Sequence, residues 1–499
     1  MLKHSFNRVY PVAMGFLLAL MVSCQSSVNH SPGWTANPYP DDYSGITPLS
    51  NRHQWGAANV HDPALLKVDS CYYVFSTDAY YMAPGVEFNP DSIAAGHIQI
   101  RKSNDLINWQ FVGWVFDRVP DDAVAHVRQF NDGKGGDGIW APYVVRHEGE
   151  YRLYYSVSGF GTNSSYIGMA KASNPQGPWS HEGCVVKTSP ESVMNAIDAS
   201  IVTDAQNGRM WMHYGSYFGG LHCVELDPAT GLTLTPGDQG HLVATRANRT
   251  NQIIEAPEII YHPDLKKYFL FVSYDPLFTH YNVRVGRSDH PQGPFLDFFG
   301  NDMADTTNNY PILTHSYRFN NHPGWSGNAH CGVMNDNGKF FMLHQGRLAP
   351  DNLMMVMQTR QMFWLPSGWP VVSPERYAGV YSAPISNDDV VGEWEVITLN
   401  ELPDQVKLWQ GQIPPGGWNY NDKMFNLSQK VVMTDAGTLT CGLSGQWTLT
   451  GDVLKMNQME CMVFRGWDWE NQKESILFSG LNEKGVAVWG KKVNLTNKN

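Results

Sequence analysis

The sequence predicts an all-β protein in which a five-bladed β-propeller precedes a small antiparallel β-barrel or sandwich domain. Three observations support this: a strand pattern recurs five times, the pattern stops before the last ~105 residues, and aromatic residues are abundant. Of 499 residues, 42% are hydrophobic, 12% aromatic and only 16% charged. Such a chain buries enough apolar surface to offset its conformational entropy, which excludes a disordered or fibrous protein.

The charge balance excludes one class of partner. Thirty-five basic residues stand against 47 acidic ones, which gives a net charge of −12, and Lys and Arg form no block. Nucleic acid binding needs a basic footprint, so nucleic acid is a poor candidate. Seventeen Trp and 23 Tyr in a charge-poor chain instead suit flat, neutral ligands, of which sugars are the obvious case.

The N-terminus has the pattern of an export signal. Lys3 and Arg8 precede an apolar run over residues 9–22, which is shorter than the ~20 residues that span a bilayer. The run ends in Leu20-Met21-Val22-Ser23-Cys24, which resembles a bacterial lipobox. We therefore expect a lipoprotein signal over residues 1–24, lipidation of Cys24, a tether over 25–49 and anchoring to the bacterial outer membrane. A plain secretory signal with an incidental cysteine is the alternative.

A repeated pattern predicts the propeller over residues 50–386. Each copy has a polar or acidic residue, often a Pro, a short apolar strand, a polar turn and an aromatic-rich strand. The copies begin at His61-Asp62-Pro63, Trp140-Ala141-Pro142, Ile197-Asp198-Ala199, Glu255-Ala256-Pro257 and Asn328-Ala329-His330. Intervals of roughly 57 to 79 residues suit four-stranded blades.

The start of each innermost blade strand faces one end of the central channel. Five side chains are therefore expected to converge there from equivalent positions: Asp62, Trp140, Asp198, Glu255 and His330. A purely structural use of the Asp-Pro and Ala-Pro pairs, as strand starts, explains one copy but not three carboxylates at one repeat phase.

Residues 390–497 have short alternating strands with Gly-containing turns, which favour a separate, lipocalin-like β domain. Its Trp418, Trp467 and Trp469 suit either core packing or a sugar platform. Cys441 and Cys461 either pair in an oxidising compartment or remain buried free thiols.

Converging carboxylates predict glycoside hydrolysis. One carboxylic acid protonates the leaving glycosidic oxygen while a carboxylate deprotonates a water. A neighbouring negative charge keeps the acid protonated near neutral pH. The width of a propeller mouth favours the inverting arrangement, in which the carboxyl groups stand about 6.5–9.5 Å apart.

Several segments together resemble glycoside hydrolase family 43, and particularly its α-1,5-L-arabinanases, over residues 50–380. They include His61-Asp62-Pro63, Asn195-Ala196-Ile197-Asp198, the run 214–220 and Ile254-Glu255-Ala256-Pro257. The resemblance implies an enzyme that cleaves arabinan internally with inversion and binds arabino-oligosaccharides; we expect it to act as a monomer.

The resemblance also implies residue roles. Asp62 is expected to be the general base, Glu255 the general acid, and Asp198 the residue that orients the acid and holds its pKa up. The sugar contacts expected from it are Trp140, Ser216, Phe218 and Arg347, and His330 is expected to hold a calcium-like ion in the channel with waters. Calcium prefers oxygen ligands, so the identity of the ion stays open.

Three departures from the family pattern leave both reacting carboxyls untouched. Ala199 stands where Pro is common, Phe218 replaces a Trp, and Asn328-Ala329-His330-Cys331 departs from the usual order around the histidine. Other functions stay open: an exo-acting α-L-arabinofuranosidase or β-xylosidase of the same fold, or a non-catalytic glycan-binding lipoprotein at the cell surface.

Overall fold

The computed structural model describes residues 41, 54–78, 97–246, 253–305, 308–349, 355–379, 384–403 and 421–495. The predicted signal, Cys24 and nearly all of the predicted tether therefore lie outside the described residues, as does Trp418. Within the described ranges, no helix is long and apolar enough to cross a membrane.

Three sheets each contain four consecutive antiparallel strands. The first comprises β1 (His61–Val68), β2 (Cys71–Thr77), β3 (His97–Ser103) and β4 (Gln110–Phe116). The second comprises β5 (Trp140–His147), β6 (Glu150–Val157), β7 (Ser165–Ala172) and β8 (Ser180–Thr188). The third comprises β9 (Ser200–Thr203), β10 (Met210–Tyr214), β11 (Leu221–Leu226) and β12 (His241–Ala244). Helix α1 (Asp121–Gln129) lies between the first two sheets in the chain.

The next two sheets are less regular. The fourth has three strands, β13 (Ile254–His262), β14 (Lys267–Tyr274) and β15 (Asn282–Ser288). The fifth is a seven-stranded sheet built from β16 (Tyr317–Arg318), β17 (Trp325–Ser326), β18 (Cys331–Asp336), β19 (Lys339–Leu348), β20 (Met355–Trp364), β21 (Pro370–Val372) and β23 (Asn426–Leu427). Both β17 and β18 pair with β19, at opposite ends of that long strand.

One strand from each of the five sheets takes part in a closed cycle. Strand β1 contacts β5, β5 contacts β9, β9 contacts β13, β13 contacts β18, and β18 contacts β1 again. Because each sheet packs between two others, its middle strand is buried on both faces, as in the Lys-Tyr-Phe-Leu-Phe-Val-Ser-Tyr sequence of β14. The all-β, propeller-like arrangement is confirmed. The expectation of five alike four-stranded blades is wrong, because only three of these sheets have that form.

The C-terminal region is a closed eight-stranded barrel, which decides between the predicted barrel and sandwich. Its strands are β22 (Gly392–Thr398), β24 (Gln429–Met433), β25 (Thr438–Thr440), β26 (Gly445–Thr450), β27 (Val453–Met456), β28 (Met459–Asp468), β29 (Lys473–Leu481) and β30 (Ala487–Lys492). A short helix α2 (Asn387–Val390) precedes it, and a 3-10 helix (Asp422–Met424) precedes β23.

One hydrophobic cluster spans the junction of the barrel and the propeller, while the barrel interior has a cluster of its own. A single hydrophobic cluster contains Trp325 and Val371 from the propeller together with Ala487 and Trp489 from the barrel. Strand β23 adds to the propeller sheet by parallel pairing with β16. Trp467 and Trp469 are 2% and 3% exposed, which favours core packing over a sugar platform. Cys441 and Cys461 are free thiols, the first exposed and the second buried.

Candidate active site

One cavity of about 620 Å³ lies at the mouth of the propeller channel. Seven of the predicted site residues line it: Asp62, Trp140, Asp198, Ser216, Phe218, Glu255 and His330. Arg347 is not part of its lining; it is 3% exposed at the end of β19, with its guanidinium 4.9 Å from the centre of the Phe278 ring. The convergence of the three carboxyl groups on one hollow therefore agrees with the sequence prediction.

The five residues predicted to converge do not occupy equivalent positions of the repeat, so that part of the sequence prediction is wrong. A left-handed backbone conformation occurs once at the start of each sheet, at Asp62 (φ 51°), Ala141 (φ 44°), Asp198 (φ 61°), Ala256 (φ 54°) and His330 (φ 49°). Trp140 and Glu255 therefore stand one residue earlier in the repeat than the other three predicted residues. This turn bends the strand entry, so side chains from both positions reach the cavity.

The N–H of each left-handed residue donates to a side chain of the neighbouring sheet. The five bonds run from Ala141 to Thr77 Oγ1 (2.8 Å), from Asp198 to Ser156 Oγ (3.0 Å), from Ala256 to Asp198 Oδ2 (3.2 Å), from His330 to Ser273 Oγ (2.9 Å) and from Asp62 to Gln345 Oε1 (2.9 Å). Together they tie the five strand entries around the channel.

The third sheet departs from this pattern for a steric reason. There the position of Thr77, Ser156, Ser273 and Gln345 is taken by Gly215, whose N–H donates to Ile197 O. Gly215 has φ 131°, and a Cβ would lie 2.5 Å from Gly220 O. With no side chain there, the Asp198 carboxylate accepts the Ala256 N–H itself. Asp198 is thereby fixed next to Glu255.

Asp62 is held as a carboxylate. Thr77 Oγ1 donates to its Oδ2 at 2.7 Å, and His330 Nδ1 lies 2.9 Å from its Oδ1. Burial alone raises the pKa of Asp62, but the His330 charge and the two hydrogen bonds outweigh it and bring the pKa well below its usual range. An ionised carboxylate at this position can accept a proton from water.

Glu255 has the opposite tendency. Its carboxyl accepts a hydrogen bond from Ser216 Oγ at 2.7 Å and another from the Tyr281 hydroxyl. Burial raises the pKa of Glu255 despite these bonds. Burial likewise raises the pKa of Asp198 to about 8, with the nearby Glu255 and Asp62 carboxyls adding to the rise against the charge of His330. The site thus sets the ionised Asp62 beside Asp198, which retains a proton near neutral pH, and beside Glu255, whose pKa is raised above its ordinary value.

The two histidines of the site differ in charge. Burial lowers the pKa of His330, but the Asp62 carboxylate and its hydrogen bond raise it to about 9. Burial lowers the pKa of the adjacent His61 to about 3, so the His61 ring is neutral. Only one histidine therefore offsets the carboxylates at neutral pH.

The comparisons with known proteins agree with this chemistry. The model of the family described as glycosyl hydrolases family 43 matches residues 56–370, more than half of the chain. The chain belongs to this family. A second model, described as a C-terminal lipocalin-like domain of family 43, matches residues 374–490.

Relatives within family 43 extend over both parts. The extracellular endo-α-(1→5)-L-arabinanase of Thermotoga petrophila is 28% identical over 490 residues, which cover 87% of this chain and 94% of the relative. The crystal structure of an endo-1,5-α-L-arabinanase from that organism matches with a TM-score of 0.72 at 26% identity, covering 88% and 99%. The extracellular exo-α-(1→5)-L-arabinofuranosidase ArbA of Cellvibrio japonicus is 30% identical over 332 residues, 63% of this chain and 86% of the relative.

Four site residues were not found from the sequence of this family 43 chain. Tyr281 and His61 line the cavity, and Thr77 and Gln345 both line it and join neighbouring strand entries. Thr77 pairs with His61 across two strands, and Tyr281 directly precedes β15. The sequence does show a polar residue at the end of an apolar second strand, such as Thr77 at the end of Cys71–Thr77. Which residue of the first strand it faces is visible only in the folded structure.

Proposed function

We propose that the protein hydrolyses α-1,5-linked L-arabinan at internal linkages with inversion of configuration. The observation that carries this proposal is the cavity lined together by Asp62, Asp198 and Glu255 in a family 43 chain. The sequence similarity to an endo-arabinanase extends through both the propeller and the barrel of this chain.

The reaction is a single displacement. Glu255 donates its proton to the glycosidic oxygen as the bond to the anomeric carbon breaks. A water attacks the opposite face of the sugar and gives its proton to Asp62, so one reducing end and one new hydroxyl form. Asp198 does not touch the sugar in this mechanism; its buried carboxyl orients Glu255. Burial and the Asp62 charge hold the pKa of Glu255 up, and Asp198 adds to this effect once it ionises.

The sugar contacts are proposed at the cavity wall. The half-buried Trp140 and the 38% exposed Phe218 offer ring faces to the apolar side of arabinose. Arg347 is buried outside the lining of the cavity, with its guanidinium over the Phe278 ring, so its proposed effect on the sugar hydroxyls is that of its positive charge. Ser216 borders the same cavity, with its hydroxyl proton committed to Glu255.

An exo-acting arabinofuranosidase is the second candidate, since one relative carries that name. A time course of product lengths from linear arabinan separates the two. Internal cutting gives mixed oligosaccharides in the first minutes, whereas end-directed cutting gives a mono- or disaccharide from the start. Binding of arabinan without any released sugar would favour the non-catalytic alternative.

Export and anchoring are a separate proposal. The word extracellular in the names of the relatives supports export, and the lipobox-like segment supports lipidation of Cys24 at the outer membrane. Metabolic labelling with palmitate tests it. We expect label on the full chain and none on a Cys24→Ala variant, and a released, unlabelled wild-type protein would contradict lipidation.

Calcium in the channel remains a prediction. His330 Nδ1 contacts Asp62, so only Nε2 could face an ion, and the imidazolium would first have to lose its Nε2 proton. Water would have to supply most of the six to eight oxygen ligands that calcium takes. This donor set is not an ordinary calcium site, so no step of the mechanism depends on an ion. Retained activity after chelator dialysis would contradict a required ion.

We also infer that the propeller has five blades and occupies residues 50–386, with the barrel domain over 390–497. The closed cycle of β1, β5, β9, β13 and β18 supports the count, as do five left-handed strand entries with five linking hydrogen bonds. In this interpretation, β13–β15 form the fourth blade and β18–β21 the fifth.

A further inference from the structure

Two hydroxyl groups contact the carboxyl of Glu255. Ser216 Oγ donates to Oε2 at 2.7 Å, and the Tyr281 hydroxyl forms a second hydrogen bond to the carboxyl group. The Ser216 and Tyr281 side chains are 2% and 1% exposed, and both line the cavity. Each therefore borders the reacting space while being fixed by the protein around it.

The two hydroxyls reach Glu255 from different parts of the propeller. Ser216 follows β10 of the third sheet, and a backbone bridge joins it to Glu255. The next residue, Tyr217, donates its N–H to Ile254 O at 2.8 Å, which holds this segment against the start of β13. Tyr281 comes from the segment before β15 of the fourth sheet. The Glu255 carboxyl is therefore hydrogen-bonded by two elements that are anchored independently of each other.

We propose that Ser216 and Tyr281 are positioning residues for the general acid, which fix the rotation of the Glu255 carboxyl so that its proton faces the glycosidic oxygen. This inference rests on the proposed function. The last torsion of a glutamate side chain is broad and roughly two-fold, so the carboxyl group rotates unless hydrogen bonds hold it. Two donors from rigid elements remove that freedom before the substrate arrives.

The same contacts limit what Ser216 can do for the sugar. A serine hydroxyl has one proton, and this one is directed at Glu255, so Ser216 can only accept a hydrogen bond from arabinose. Its predicted role as a sugar ligand is thus secondary to its contact with the acid.

The donated bonds also help the proton to leave. Hydrogen bonds to a carboxyl oxygen favour the ionised form, and those from Tyr281 and Ser216 each lower the pKa of Glu255 against the larger effect of burial. Removing one hydroxyl therefore leaves a carboxyl that is less well aligned and holds its proton to a higher pH.

Tyr281→Phe tests the inference, with Ser216→Ala as the second variant. Tyr268→Phe is the matched control, because Tyr268 is buried in β14 of the same sheet. Its hydroxyl donates to Asp204 Oδ1 at 3.0 Å and accepts from the Ala205 N–H, and these residues lie outside the lining of the cavity. Each variant is assayed on linear arabinan and on a 4-nitrophenyl α-L-arabino-oligosaccharide, whose leaving group needs little protonation.

On arabinan we expect kcat to fall about tenfold for each site variant with little change in KM, the loss of one hydrogen bond to a reacting group. On the nitrophenyl substrate the fall should be less than about threefold. The alkaline limb of the pH–rate profile should move to higher pH, and Tyr268→Phe should match the wild type in every respect.

The inference would be overturned if kcat fell equally on both substrates and the alkaline limb did not move. It would also be overturned if Tyr281→Phe and Ser216→Ala both behaved like Tyr268→Phe. The proposed function fails separately, when the wild type releases no sugar from linear arabinan, and the inference then falls with it.

Discussion

Two buried clusters in this chain each combine three carboxyl groups with one cation, and their architectures differ. At the channel mouth, the carboxyls of Asp62, Asp198 and Glu255 accompany the His330 imidazolium. Where the barrel meets the propeller, three carboxyls surround one ammonium: Lys491 Nζ lies 3.2 Å from Glu375, 2.8 Å from Asp468 and 2.7 Å from Glu470.

The difference lies in how the cation is used. Lys491 donates to all three carboxyls, and these four side chains are 1–2% exposed, so no space remains for a ligand. Of the three mouth carboxyls, the His330 ring is paired with that of Asp62. The other two accept hydrogen bonds from neutral hydroxyl and N–H donors and border a cavity. The junction cluster joins two domains, whereas the mouth cluster keeps transferable protons beside room for substrate.

The largest expected effect comes from removing a reacting carboxyl. Glu255→Gln and Asp62→Asn should each lower kcat on linear arabinan by about a thousandfold or more, since each deletes one proton transfer. Binding of arabino-oligosaccharides, measured by calorimetry, should persist. Near-normal turnover of either variant would show that the role assigned to that residue is wrong.

The junction cluster should respond in stability and not in chemistry. Lys491→Met leaves buried carboxyls without their cation and should cost about 3–5 kcal/mol in the free energy of unfolding, measured with urea. Activity per folded molecule should stay near that of the wild type. Lys430→Met is the control, because Lys430 pairs with Glu393 on the barrel surface, and it should change stability little. A stable, inactive Lys491→Met variant would reverse the distinction between the clusters.

Thr77 tests whether the links between strand entries matter for catalysis. Thr77→Val keeps the shape but removes the hydroxyl that donates to Asp62 Oδ2 and accepts from Ala141. We expect kcat to fall about ten- to hundredfold, the range for a hydrogen bond to a charged group. Thr77→Ser should recover most of the activity; if it performs no better than Thr77→Val, the hydroxyl is not the cause.

The pH dependence sharpens the same comparison. Activity requires Asp62 ionised and Glu255 protonated, so kcat/KM should fall at low pH as Asp62 gains a proton and at high pH as Glu255 loses one. Asp198, whose pKa is about 8, carries a negative charge only in the alkaline range, and there it opposes the loss of the Glu255 proton. Asp198→Asn removes that charge and should move the alkaline limb to lower pH. A limb that moves upward would place the proton on a different group.

The smallest effect is expected at the cavity rim. Phe218→Ala should raise KM about two- to tenfold with kcat unchanged, since one ring contact with sugar is lost. Phe299→Ala is the matched control, because Phe299 is 53% exposed but outside the lining of the cavity. Equal KM values for the two variants would exclude Phe218 from sugar binding.

The sequence predicted the identity of the three acidic residues better than the backbone conformation around them. Asp62, Asp198 and Glu255 were identifiable because each stands at the start of a repeated apolar strand. The position of Glu255, one residue earlier in the repeat than Asp62 and Asp198, was not predictable. It depends on which residue adopts the left-handed conformation, and nothing in the sequence marks Ala256, with φ 54°, as that residue. Backbone conformation of this kind is set by neighbouring strands after they pack.

Contacts between neighbouring sheets of the propeller also could not be predicted from the sequence. That Asp198 replaces a missing side chain at Gly215, and that Ser216 donates to Glu255, depends on register across sheets distant in the chain. The barrel was predicted from alternating strands, but its closure and its Lys491 cluster depend on Glu375, which lies before the barrel in the chain.

The most direct test is proton NMR of the first products released from linear α-1,5-arabinan by the purified chain. We predict that new reducing ends appear first as the β-anomer, in oligosaccharides of mixed length, before they equilibrate. New ends that appear first as the α-anomer would contradict a single displacement by water between Glu255 and Asp62.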